Sequence, residues 1–316
     1  MIGRLPSCRI AWILFFSGAL EPAGALSYDR AERLREMRDR TLVWAFRAED
    51  GGVATNDLND QGDMLERAGL LCLFGMPERC EDVRNAQAAD GRFYRARQYI
   101  GISRLDAFSR DHFNGVMAYY MATRDRDSAE RYLHYLETHD FKLCERASDN
   151  RCVMMPDTWG ILGRVWRANG WGAPARIERK MKWGMRVDGI GIVLGSFSPL
   201  GFESVLPAWT AILRQKLQTE NGWVRLAMGI ASKRQPNNAF VRYAREGATD
   251  RVADLTLEAC SGNQGRGEYD FIWNRRMFRE EGRLFVDSGP TRKKSVEDAS
   301  DGWDCIIMAQ MLLSAS

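Results

Sequence analysis

Four common catalytic signatures are missing from this chain: it has no P-loop, no G-x-G-x-x-G, no G-x-S-x-G and no H-E-x-x-H. Their absence removes the usual nucleotide-binding, α/β-hydrolase and zinc-protease readings. Histidine is scarce, with three residues, which leaves little material for an imidazole metal site. No metal and no cofactor is therefore expected. Excess charge of one sign is absent as well. The formal net charge is +3, and the basic residues, nearly all Arg, are scattered. The tightest cluster, Arg292-Lys293-Lys294, reads as a solvated loop. That balance gives no electrostatic footprint for nucleic acid. No Gly/Ser/Pro-rich linker divides the chain. Alternating apolar and polar runs are nearly absent too; the strand signals are Arg92–Tyr99 and Arg283–Asp287.

Long apolar runs are also lacking. Residues 189–213 hold one formal charge, Glu203, but two prolines and four glycines interrupt them. They read as a buried loop followed by a core helix rather than a membrane span. Ile10–Leu20 is an uncharged, mostly apolar run of 11 residues, too short to cross a hydrocarbon core of about 30 Å as a helix. Arg4 and Arg9 precede it, and Ala23-Gly24-Ala25 follows with the small-x-small pattern of a cleavage site. Residues 1–25 thus read as a signal peptide and 26–316 as the mature chain, secreted or periplasmic, with no stable membrane insertion after cleavage.

What is present fits that reading. Of the 7 cysteines, Cys8 leaves with the signal, and Cys72, Cys80, Cys144, Cys152, Cys260 and Cys305 remain. An even set in an exported chain reads as three disulfides, although spacing does not decide the connectivity. Local pairing is attractive because Cys72/Cys80 and Cys144/Cys152 each enclose 7 loop-like residues, cheap to close. Cys260 then pairs with Cys305.

Helix-like segments fill most of the mature chain. They are expected at 28–48, 59–75, 77–88, 109–123, 125–139, 156–169, 174–187, 200–218, 222–233, 250–259 and 300–314. Ser109 is a good N-cap, prolines open the helices at 77 and 156, and Gly170 suits a C-cap. The expectation is one all-α domain.

The later blocks KRQPNNAF (233–240) and GWDCIIMAQMLL (302–313) look like signature segments of a specific exported family, and four earlier segments carry a second resemblance: QGDMLERAGLL (61–71), DGRFYR (90–95), SRDHFNGVMAYY (109–120) and MPDTWGILGRVW (155–166). Their order resembles an (α/α) toroid, in which helical hairpins form two concentric rings, as in exported glycosidases and polysaccharide lyases. The resemblance implies a polysaccharide or oligosaccharide partner and a site at the mouth formed by the inner helix starts. Asp63 (with Asp60 beside it), Asp111 and Asp157 lie at three such starts, and glycoside hydrolysis needs two carboxylates across a cleft. The helix dipole alone also favours acids there. His112 shares a helix face with Tyr119 and is the candidate base of a lyase. Arg110, Trp159, Trp171 and Trp303 are candidate substrate contacts, Trp171 and Trp303 being the tryptophans expected to be exposed. A non-catalytic scaffold of the same fold is the reading from another class.

Overall fold

The computed structural model describes residues 26–45, 64–102, 108, 110–144, 152–196, 211–213, 215–217, 222–234, 236–260, 277–280, 283–287, 293–295 and 302–315. The signal segment lies outside these residues. The described fold is helical, with a small sheet. Its helices are α1 (Tyr28–Trp44), α2 (Met64–Leu73), α3 (Pro77–Asn85), α4 (Arg110–Thr123), α5 (Arg126–Thr138), α6 (Pro156–Ala168), α7 (Ala175–Ser196), α8 (Gly222–Arg234), α9 (Ala239–Glu246), α10 (Asp250–Ala259) and α11 (Trp303–Leu313).

Local chemistry explains the boundaries. Pro77 and Pro156 sit in the first turns of α3 and α6, where a missing N–H costs nothing. Side chains cap three other helices: Asp125 accepts from the Ser128 N–H, Asn238 from Val241 and Thr249 from Val252. Gly170 follows α6 at φ 70°, a conformation that a Cβ would strain.

Three expectations are corrected. Arg92–Tyr99 is not a strand: Phe93 makes an isolated bridge with Gln87, and Arg97–Tyr99 is a 3-10 turn. Helix α7 continues to Ser196 instead of yielding to a loop at 189, and the next proline is Pro199. Helix α9 was not expected, although Asn238 caps it and its residues 239–244 are buried. The helix expected over 200–218 is described only at 211–213 and 215–217, helical through residue 216. The second strand signal is realised. Strands β1 (Met277–Glu280), β2 (Arg283–Asp287) and β3 (Lys293–Ser295) form an antiparallel sheet in that order, with Phe278 opposite Phe285 and Val286 opposite Lys294.

Three disulfides tie the helices: Cys72–Cys80, Cys144–Cys152 and Cys260–Cys305, with Cα–Cα distances of 4.8, 5.0 and 6.0 Å. The first staples α2 to α3. The third joins the end of α10 to the first turn of α11, and the sheet lies in the segment between.

Close helix contacts are made by glycine. Gly69 of α2 and Gly115 of α4 face each other, and a Cβ on Gly115 would lie 2.6 Å from the Glu66 Cα. Helices α6 and α7 meet in the same way. A Cβ on Gly160 would lie 2.6 Å from Asp188, and one on Gly163 2.9 Å from Met181. Higher numbers on α6 meet lower numbers on α7, so the two are antiparallel. Tyr119, Tyr120, Tyr132, Tyr135, Phe93, Phe113 and Trp166 are fully buried around α4 and α5.

Candidate functional site

The direction of neighbouring helices decides where their first turns go. Arg67, in the first turn of α2, pairs with Asp304, in the first turn of α11, at 3.5 Å. At the far end, Gln310 Nε2 of α11 donates to the Phe74 carbonyl just past α2, at 2.8 Å. Both contacts advance together along the two chains, so α2 and α11 run parallel and begin at one end. Helix α9 joins them at the opposite end. Its Tyr243 hydroxyl donates to the Met311 carbonyl at 3.3 Å, and its ring meets Phe74 edge-on. Late positions of α4 and α6 also meet, with Tyr120 and Trp166 edge to face at 5.6 Å.

Polar groups, most of them ionisable, are buried in the first turns of α2, α4 and α11. Glu66 and His112 are fully enclosed, and Arg67, Asn114 and Asp304 are buried. Each charge there carries a desolvation cost that its partners must offset. Glu66 and Arg67 were not singled out as candidates from the sequence. The signal was present: an adjacent acid and base inside an apolar segment, Met64-Leu65 before and Leu70-Leu71 after.

The expected site residues divide as follows. Asp63, like Asp60, lies outside the described residues. Asp111 and Arg110 open α4, but their side chains lie outside what is described. Asp157 is half-buried in the first turn of α6 and lies 3.5 Å from the Thr158 hydroxyl that donates to it. His112 is enclosed rather than facing solvent, its ring 5.5 Å from that of Phe108.

The tryptophans sit differently from expectation. Trp303, expected exposed, is 1 % exposed, with the Arg79 guanidinium 5.9 Å over its ring. It opens α11, but the helix turns its indole into the core. Trp159 is also buried, edge-on to Phe141 and packed under Gly184. Trp171 is partly buried against Trp166 and Tyr120. The large apolar side chains exposed near the start of α6 are Val153 and Met155. Trp183 of α7 and Trp223 of α8 are each 51 % exposed.

A second polar cluster lies late on α4. The Tyr119 hydroxyl donates to Asp125, and Arg84 Nε donates to both, at 3.2 Å to Tyr119 and 3.4 Å to Asp125. Burial, reinforced by the bond to Asp125, pushes the Tyr119 phenol up to about 12. Burial alone would raise the Asp125 carboxyl, but the bonds from Tyr119, the Ser128 N–H and Arg84 hold it below the usual carboxylate range. Since Asp125 also caps α5, this cluster is structural.

Among the described residues, no group of three His, Cys, Asp or Glu is placed to hold a metal ion, and no helix is long and apolar enough to cross a membrane. No protein-family model, curated protein or solved structure matched the chain.

Proposed function

We propose that this is an exported (α/α)-toroid protein that binds a polysaccharide and hydrolyses it with a pair of carboxylates at the mouth where α2, α4, α6 and α11 begin. The carrying observation is the parallel run of α2 and α11, whose first turns are joined by Arg67 and Asp304. Parallel neighbours far apart in sequence are what an inner ring requires. The helix pairings support the same reading. From α11 they pass to α2, α4, α6, α7, α8, α9, α10 and α1, and return to α11. Three disulfides suit an oxidising compartment and so support export.

In this reading Asp63, Asp111 and Asp157 supply the acid and the base or nucleophile. One carboxylic acid protonates the glycosidic oxygen, while another carboxylate activates water or attacks the anomeric carbon. The half-buried setting of Asp157 suits a group that must reach a substrate. The enclosure of His112 counts against a lyase with that base. The enclosure of Trp159 and Trp303 favours the second reading, a non-catalytic scaffold, because neither indole is free to stack on a sugar.

The test is a screen of soluble polysaccharides for reducing-end release and for unsaturated uronate, followed by Asp63→Asn, Asp111→Asn and Asp157→Asn. Hydrolysis predicts that at least two variants lose turnover by about 100-fold or more. Each should change stability by only about 1 kcal/mol or less, the scale of a dipole contact. Full activity in all three, or no glycan turned over, refutes the hydrolase. Binding without turnover leaves the scaffold.

A further inference from the structure

We propose that the outer face of α7 is a binding surface for an acidic polysaccharide chain, with Trp183 as its stacking platform and Arg179 and Arg186 as its anion contacts. The inference rests on the carbohydrate reading above and adds the charge of the ligand and a place of contact away from the helix starts.

The inner face of α7 is occupied. Ile177, Met181 and Gly184 are buried, and Gly184 packs so closely on α6 that a Cβ there would lie 2.5 Å from the Trp159 Cβ. The opposite face therefore looks outward. Arg179, Trp183 and Arg186 stand at i, i+4 and i+7 on it, a stripe about 10.5 Å long at 1.5 Å per residue. Trp183 is 51 % exposed.

Among the described residues, the two arginines of this stripe have no acidic partner. On the exposed face of α5, Arg126 has an acid one turn away, Glu130, at 2.7 Å, and on α7 the one exposed acid, Glu178, is taken by Lys182 at 2.7 Å. Arg179 and Arg186 are exposed and make no ion pair among the described residues. The positions one turn from Trp183 are Arg179, Lys180, Arg186 and Val187, so none is acidic. The Lys180 ammonium turns away, over the Phe141 and Trp159 rings. Arg176/Arg179, Arg179/Lys182 and Lys182/Arg186 are like-charge neighbours that disfavour the isolated helix. Helix α8, packed on α7, contains no acid and exposes Trp223, Arg225 and Lys233.

Such a face is complementary to an anion bearing a flat apolar surface. A pyranose ring presents C–H groups that pack on indole, and its carboxylate, sulfate or phosphate substituents accept forked bonds from guanidinium. A lipid bilayer fits less well. An interfacial helix buries a broad apolar face in the membrane, whereas the described apolar side chains of α7 are buried or partly buried, apart from Trp183 and the small Ala175.

The experiment uses the whole mature chain in affinity electrophoresis and calorimetry. The probes are polygalacturonate and alginate as acidic glycans, dextran as a neutral one, and phosphatidylglycerol vesicles. The variants are Trp183→Ala and the pair Arg179→Glu with Arg186→Glu, all at exposed positions, so an unchanged melting temperature is expected. The proposal predicts binding to an acidic glycan that weakens with salt, and about tenfold or greater weakening in each variant. Acidic-glycan binding that survives both variants overturns the α7 surface. If Asp111→Asn or Asp157→Asn weakens it instead, the carbohydrate reading stands. Binding to dextran alone overturns the acidic ligand and spares the carbohydrate reading. Binding to vesicles without any glycan, or to no probe, overturns both.

Discussion

Replacing Gly115 by alanine tests the α2–α4 contact that sets the two helix starts against each other. The new Cβ would meet the Leu65 carbonyl and the Glu66 Cα, the latter at 2.6 Å. These are backbone atoms, so no rotamer change relieves the clash, and the helices must part. Overpacking a close contact costs about 1–3 kcal/mol, and rigid backbone on the far side puts Gly115 at the upper end. Alanine's helix propensity returns about 1 kcal/mol. The net expectation is a loss of about 2 kcal/mol, or roughly 3 °C in melting temperature for a chain of this size. Gly229→Ala is the internal control. Gly229 lies on α8 with nothing within 4 Å of an added Cβ, so it should gain about 0.5–1 kcal/mol. Guanidinium unfolding followed by circular dichroism reads both as midpoint shifts at constant slope. Gly69→Ala should behave like Gly115→Ala. The double variant should lose less than the sum, because both methyl groups open one gap. If Gly115→Ala is as stable as Gly229→Ala, α2 and α4 are not in backbone contact and the arrangement of their first turns fails with them.

Three further outcomes follow from other contacts. Asp304→Asn removes a charged partner of buried Arg67 and should cost about 3 kcal/mol by denaturant unfolding, with a smaller added cost when Arg67→Met is combined with it. Removing Cys260–Cys305, which spans 45 residues, should destabilise by about 4 kcal/mol, against about 2.5 kcal/mol for Cys72–Cys80, which spans 8; both follow from loop length and are read by unfolding the serine pairs. Asp125, with its carboxyl held low, should add stability above its unfolded value near about pH 4 and lose it as pH falls through its folded value. Tyr119→Phe should flatten that acid limb, and ultraviolet titration should lose a phenol ionising at about 12.

Much of the helical order was legible because local chemistry states it. Pro77, Pro156 and Gly170 mark boundaries at the positions expected from their backbone preferences. The three cysteine pairs were legible from short spacing and from what remained. Side-chain direction was not. Trp303 lies at the start of the helix expected over 300–314, where an exposed ring is the natural reading, yet the packing of α11 beside α2 turns it inward. Helix α9 was missed because it is only 8 residues long and opens after Pro236-Asn237-Asn238, a stretch that reads as a turn. The burial of Glu66 and Arg67 depends on the close approach of α4, which the glycines permit but do not announce. Trp183 was one tryptophan among many until the opposite face of α7 was seen to be filled.

The disulfide between Cys260 and Cys305 also changes what a broken peptide bond means. Residues 261–302, with β1, β2 and β3 among them, form an excursion whose two ends are fastened together. A protease cutting anywhere within it produces two polypeptides but not two separable bodies. Helix α11 stays covalently joined to α10, and its Arg67 and Phe74 contacts remain where they were. A nicked chain should run as one band on a non-reducing gel and as two after reduction. The segment between the two cysteines can therefore be cut while α10 and α11 stay covalently joined.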